Sequence, residues 1–335
     1  MKKIILTLLA VIMVIGLTAC GADANNSANA NSAGSSSEPE KTSVTIKTLN
    51  AGKNEVELEV PYNPQRIAIL DLAALDIIDS LGVGDRVVGM ASTSIEYLKD
   101  YSDNSSLKNL GTIKEADLEA VMECEPDIIF IGGRLSGSYD ALSEIAPVVY
   151  LSTDTEIGLV ESVSKNAGII ASIFGLEDEV ASKMADFSAR IDAIKEISEG
   201  KTALVGMTTS GSFNLLGNDG RCSLIGVEAG FNNLTAAGST STHGNESSFE
   251  TVVKQNPDYI FVMDRDSAIS SSGAKTAREI MENDLIKTTD AYKNNHIIYL
   301  EHPDVWYTAE GGIQALDIML QDLENGLNFI IRFNY

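Results

Sequence analysis

Apolar positions in this chain fall into short runs and helical stripes that alternate along most of its length. Residues 66–70 (RIAIL) form a branched apolar run, 72–81 repeat apolar positions at helical spacing, and 86–90 (RVVGM) form a second run. The same order continues with a helical segment at 139–145 and a run at 148–151. It restarts with a strand over 202–207, a short helix over 224–229 and a helix over 277–283. A strand over 296–300 and a closing helix over 311–323 complete it. Strands alternating with helical segments predict parallel βα units.

Between the two series the period changes. Leu159, Val163, Ala167, Ile170 and Phe174 recur at three- and four-residue steps. After Gly175 the stripe resumes with Val180, Met184, Phe187, Ile191, Ile194 and Ile197. One apolar face with no intervening strand predicts a long helix over 157–200, with Gly175 as the natural place for a break. It would join an N-terminal α/β lobe (44–156) to a C-terminal one (201–335).

A repeat supports two similar lobes. Residues 118–134 read LEAVMECEPDIIFIGGR and 249–265 read FETVVKQNPDYIFVMDR, an offset of 249 − 118 = 131 residues. Seven positions are identical: Glu119/Glu250, Val121/Val252, Pro126/Pro257, Asp127/Asp258, Ile129/Ile260, Phe130/Phe261 and Arg134/Arg265. Each copy reads as a helix end, a Pro-Asp turn, an apolar strand and an arginine just past it. The offset is far beyond the ~20–50-residue period of solenoids. Ligands of open α/β sheets bind at the carboxyl ends of strands, where both arginines fall.

The first residues bear on location. Lys2 and Lys3 precede an apolar run over 4–16, too short for a comfortable membrane span, and small residues then lead to Cys20. This predicts a signal peptide over 1–19, cleaved before a lipidated Cys20. Residues 21–43 contain no aromatic residue and no Val, Ile or Leu, so 20–43 reads as a flexible tether. The expected location is the extracytoplasmic face of the cell membrane, held by the lipid.

Charge narrows the classes. The net charge is −24, and loss of Lys2 and Lys3 leaves 22 − 48 = −26. A chain this acidic lacks the basic footprint of a nucleic-acid binder. Only Cys124 and Cys222 remain besides Cys20, one in each half, so neither a disulfide nor a zinc cluster is expected. No GxSxG, HExxH or GxxxxGK[ST] pattern occurs, which argues for a binding protein over an enzyme.

Candidate ligand contacts lie in turns after strands: Arg134 in GGRLSGSY, Arg221 in GNDGRCS, Arg265 in MDRDSA, His243 in STSTHGNES, and Trp306 and Tyr307 in VWYTAEGG. Guanidiniums suit carboxylates, phosphates or catecholate oxygens. In so acidic a protein an anion needs such a local positive cluster. The competing role is a surface ion pair, above all for Arg265 between Asp264 and Asp266.

Together PQRIAILDLAALDIIDSLG, the two repeat copies, STHG, HIIYL and WYTAEGG resemble the substrate-binding lipoproteins of iron–siderophore ABC importers, over about residues 45–326. The nearest likeness is to the subgroup taking catecholate siderophores such as petrobactin. The resemblance implies two Rossmann-like α/β lobes joined by a single long helix, with the ligand cleft between them. It implies no intrinsic cofactor, an Fe(III)–siderophore ligand, a monomeric protein, and a permease partner with a cytoplasmic ATPase. It also assigns Arg134, Arg221 and Arg265 to the anionic ligand, and His243 and Tyr307 to open iron positions. Glu119 and Glu250 it assigns to docking on the permease, facing the membrane partner from the end of the repeat opposite the arginines. Haem, cobalamin or a hydroxamate siderophore are alternative cargoes, and a surface enzyme or adhesin is an alternative class. The run over 328–335 (NFIIRFNY) departs from the family pattern.

Overall fold

The computed structural model describes residues 41–237 and 239–327. The signal segment, Cys20, the tether up to residue 40 and the 328–335 run lie outside the described residues. Among those described, no helix is long and apolar enough to cross a membrane.

The first lobe opens with an antiparallel hairpin, β1 (Ser43–Leu49) and β2 (Glu55–Pro61). Then come β3 (Ile67–Leu70), α1 (Leu72–Ser80), β4 (Val87–Met90), β5 (Lys108–Asn109), α2 (Leu118–Glu123), β6 (Ile128–Ile131) and β7 (Val148–Tyr150). Five of these strands make a parallel sheet in the order β5-β4-β3-β6-β7. Thr48 staples the hairpin to this sheet: its hydroxyl donates to the Tyr150 carbonyl at 3.0 Å and accepts from the Tyr150 N–H at 2.8 Å.

The bridge is helical as expected but divided at Gly175, into α3 (Leu159–Phe174) and α4 (Glu177–Ser198). Gly175 adopts φ +70°, and a β-carbon there would meet the Tyr62 hydroxyl at 2.3 Å. A left-handed residue that must also clear a neighbour ends the helix. At its start, α3 is capped from the second lobe, the Glu228 carboxylate accepting from the N–H groups of Leu159 and Val160. Its end is held by the first lobe, where the Asn63 N–H donates to the Ile173 carbonyl at 2.8 Å. From α4, buried Arg190 pairs with Asp317 and Glu324.

The second lobe contains β8 (Thr202–Thr209), β9 (Ser212–Leu215), β10 (Asn232–Asn233), α5 (Phe249–Gln255), β11 (Tyr259–Asp264), β12 (Ile297–Tyr299) and α6 (Ile313–Gly326). Its sheet runs β10-β8-β11-β12 in parallel, with β9 antiparallel on β8.

The repeat now has a structural cause. Asp127 accepts from the N–H groups of Gln65 and Arg66 at 2.8 and 2.9 Å, tying the turn before β6 to the start of its neighbour β3. Asp258 accepts from the N–H and hydroxyl of Thr202, both at 2.8 Å, tying the turn before β11 to the start of β8. Each Pro-Asp turn therefore sets the register of two central strands.

Strand residues alternate between two cores. Ile67 and Ile69 of β3 join Leu75 and Ile78 of α1, Val163 and Ile170 of α3, Phe187 of α4, Val205 of β8, Phe261 of β11 and Leu316 of α6 in one buried cluster spanning both lobes. Ala68, Leu70, Ile129 and Ile131 face a separate cluster on the outer side of the first sheet. Leu204, Ile260 and Val262 face another on the outer side of the second. Burial on both faces explains why these strands read as near-continuous apolar runs.

Candidate functional site

A cleft of ≈ 820 Å³ opens between the lobes, within the ~300–1,000 Å³ usual for small-molecule sites. Arg134 and Tyr150 line it from the first lobe, and Arg221, Tyr307, Thr308 and Glu310 from the second. Lys47 and Thr48 of the β1–β2 hairpin also reach it.

Strand ends deliver these groups. Arg134 follows β6 and Arg265 follows β11, both at the carboxyl edge of their sheets. Tyr307 sits within a π-helical turn, Val305–Ala309, an arrangement frequent at functional sites. The structure brings all three arginines to its ring: the guanidinium carbons of Arg221, Arg134 and Arg265 lie 4.4, 5.8 and 5.9 Å from the ring centroid. Such distances allow cation–π attraction.

Each guanidinium is held differently. Arg221 donates through Nε to the Tyr307 carbonyl at 3.3 Å and through Nη1 to the Thr242 carbonyl at 3.0 Å. Arg265 donates to buried Asp266 at 3.0 Å, and Asp266 also accepts from the Ser210 N–H at 2.7 Å. Its pKa is raised, first by hydrogen bonding with Tyr307 and then by Asp266. Arg265 is not among the residues lining the cleft and is a half-buried charge paired with buried Asp266. Arg134 has no carboxylate within 4.0 Å among the described residues, and burial together with Arg221 lowers its pKa. It is the guanidinium most open to an incoming anion.

Two sequence candidates are placed elsewhere. Trp306 does not face the cleft: it is fully buried, and its Nε1 donates to Asp322 at 2.9 Å. Consecutive residues of a helical turn point in different directions, so presenting Tyr307 to the cleft sends Trp306 into the core. His243 lies exposed on its loop outside the cleft lining, with its carbonyl accepting from Asn214 at 2.8 Å. Its neighbour Thr242 carries the contact to Arg221.

Glu119 and Glu250 occupy the same exposed position, the second residue of α2 and of α5. They do not stand at the end opposite the arginines. The N–H of Asp117, whose side chain caps α2, donates to the Leu110 carbonyl directly after the carboxyl end of β5. Each helix then runs back toward the amino edge where β6 or β11 begins, so both glutamates share the arginines' edge. Cys124 and Cys222 are free and buried.

Two acidic groups escaped the sequence reading. Asp71 caps α1, accepting from the Ala74 N–H at 3.0 Å; burial raises its pKa while Arg134 opposes the shift. Glu310, inside the WYTAEGG stretch, is pushed up to about 7 by burial, against the pull of Arg221 and of a hydrogen bond from the Cys222 N–H, and with Glu228 adding to the rise. The available signals were the place of Asp71 directly after β3 and of Glu310 three residues after Tyr307.

The Glu310 shift gives a pH dependence. Below about 7 the group is neutral and leaves Arg221 unopposed; above it the carboxylate offsets Arg221. Affinity for an anionic ligand in the cleft is expected to fall severalfold between about pH 6 and 8. Folding stability moves the same way. The folded pKa lies above the unfolded value, so the contribution present below 4.5 is lost as pH rises through about 7. Dissociation constants measured across this range should flatten for Glu310→Gln; an unchanged slope in that variant counts against the assignment.

Known proteins share this design. A family model described as a periplasmic binding protein matches residues 67–303. The petrobactin-binding protein YclQ of Bacillus subtilis is 34% identical over 334 residues, covering 98% of this chain and 99% of that protein. The crystal structure of YclQ has a TM-score of 0.78 over 86% of this chain and 99% of that one. The periplasmic catecholate-siderophore binding protein VctP of Vibrio cholerae has 30% identity and a TM-score of 0.76, covering 84% and 100%. The ferric-anguibactin-binding protein FatB of Vibrio anguillarum is 26% identical over 295 residues, covering 86% and 89%.

Proposed function

Because the chain belongs to the periplasmic binding protein family, we propose that it captures a ferric siderophore with catecholate arms and delivers it to the permease of an ABC importer. The observation that carries this reading is the ring of Arg134, Arg221 and Arg265 around Tyr307 between the lobes. A tris-catecholate complex of iron(III) is anionic, and a protein of net charge −24 holds such a ligand only through a local positive cluster. In this reading Tyr307 supplies a phenolate oxygen to an incompletely coordinated iron. His243 would join it by movement of a loop already tied to Arg221 through Thr242.

The chain divides, in this reading, into a signal peptide (1–19), a lipidated Cys20 and tether (20–43), two lobes (44–156 and 201–335) and the bridge (157–200). It works as a lipid-anchored monomer at the extracytoplasmic face, with no intrinsic cofactor and no catalytic step. Glu119 and Glu250 dock on the permease, which a cytoplasmic ATPase drives.

Trp306 is the single tryptophan and lies beside Tyr307, so a bound ferric catecholate chromophore is within reach to quench it. Titration of the purified protein with ferric catecholates is expected to quench its fluorescence with micromolar or tighter affinity. No quenching, and no binding of any ferric catecholate by equilibrium dialysis, would sink the assignment.

A further inference from the structure

The turn that presents Tyr307 is anchored at both ends by buried carboxylates. In front of it, Asp322 of α6 accepts from the Trp306 indole at 2.9 Å and from the His302 N–H at 3.0 Å, and bonds the His302 ring at 2.7 Å. Behind it, the anchor comes from the other lobe. Asp76 of α1 is 1% exposed. Its two oxygens accept from the N–H groups of Gln314 and Ala315, each at 2.8 Å, in the first turn of α6. Tyr97 and Ser80 add hydroxyl donors to the same carboxylate at 2.9 and 3.3 Å.

Normally a helix's own N-cap side chain makes such bonds. Here the N-cap is Gly312, which has none to offer. A β-carbon on Gly312 would lie 2.3 Å from an Asp76 oxygen, so the glycine makes room for a cap supplied across the lobes. Gly311 also approaches the first lobe, less closely, its would-be β-carbon falling 3.1 Å from Thr153 and 3.3 Å from Ala73. Burial raises the pKa of Asp76, while the two backbone N–H groups stabilise its charged form.

We propose that Asp76 is a positioning residue for the ligand: from the first lobe it fixes the segment of the second lobe that carries Tyr307 into the arginine cluster. The inference rests on the proposed function, since it concerns how that site is set. Its mechanical content is that the pose of Tyr307 and the angle between the lobes cannot change independently. Arg134 belongs to one lobe and Arg221 to the other, so the Asp76 cap keeps all of them in register around one ring.

The test uses Asp76→Asn, which keeps the shape but leaves one helix N–H facing an amide donor. With the ferric complex of dihydroxybenzoate as probe, affinity is expected to fall about tenfold or more. In a Tyr307→Ala background the same substitution should cost little further, because Asp76 acts through the Tyr307 segment. Equal losses in both backgrounds would mean a general structural role and overturn the proposal, as would no loss in either. A second readout needs no ligand: acrylamide quenching of Trp306 is expected to rise in Asp76→Asn, and unchanged quenching also overturns it. If Asp76→Asn does not fold, Tyr97→Phe removes one donor to Asp76 and should show a smaller loss, again absent without Tyr307. Failure of the wild-type protein to bind the probe would count against the proposed function, while the quenching arm would still decide the role of Asp76.

Discussion

Alanine at Arg134 and Arg221 together is expected to weaken capture of a ferric catecholate on the order of 10²–10⁴-fold, since each charge-assisted hydrogen bond contributes roughly 1.5–3 kcal/mol. These are the two arginines that line the cleft, one from each lobe. Neither has a carboxylate within 4.0 Å among the described residues, so below about pH 7, where Glu310 is neutral, their charge is fully available to the ligand. Arg265 is a poor choice for this experiment. Its removal would strand buried Asp266 and confound affinity with stability. Isothermal titration should be run with a ferric catecholate and, in parallel, with a neutral ferric hydroxamate. The neutral complex is expected to lose far less. Equal losses for both would show that the arginines shape the cleft and do not read charge, which would reopen the choice of cargo.

The second large effect is on transport, with binding left intact. Glu119→Ala combined with Glu250→Ala is expected to abolish iron–siderophore uptake in cells while the dissociation constant of the purified protein stays unchanged. Both side chains are exposed and neither touches the cleft. Their helices keep their own caps, Asp117 accepting from the Ala120 N–H and Ser248 from the Thr251 N–H. Losing a glutamate from a helix first turn costs roughly 0.3–1 kcal/mol, too little to unfold the protein. Uptake of labelled iron in cells, set beside affinity in vitro, separates the outcomes. A variant that binds weakly, or one that still transports, argues against docking through these residues.

How far the sequence reaches depends on the range of each interaction. The Pro-Asp turns were legible because Asp127 and Asp258 act on strand starts in a pattern that recurs intact within one chain. Strand-end arginines were legible for the same reason, since the carboxyl edge of a parallel sheet follows from connectivity. The β1–β2 hairpin was not legible as a hairpin, because its place is fixed by the remote pair Thr48 and Tyr150. Asp76 was invisible, its partner Gln314 lying 238 residues away. Trp306 was misplaced because adjacency in sequence says nothing about which neighbour of a helical turn faces inward. The glutamates were set at the wrong end by treating the repeat as a rod, whereas its helix folds back alongside its strand.

The two lobes share one buried cluster, and that constrains how occupancy can be sensed. Domains with private cores can swing apart and signal by silhouette, a filled protein looking different from an empty one. Here a wide swing would expose Val163, Ile170 and Leu316 to water, so filled and empty forms must remain close in outline. A permease would then have to gauge the cargo by a slight change in spacing between two fixed points. Glu119 and Glu250 stand one on each lobe, on the edge that carries Arg134 and Arg265, and in the proposed docking their separation would serve as the calliper.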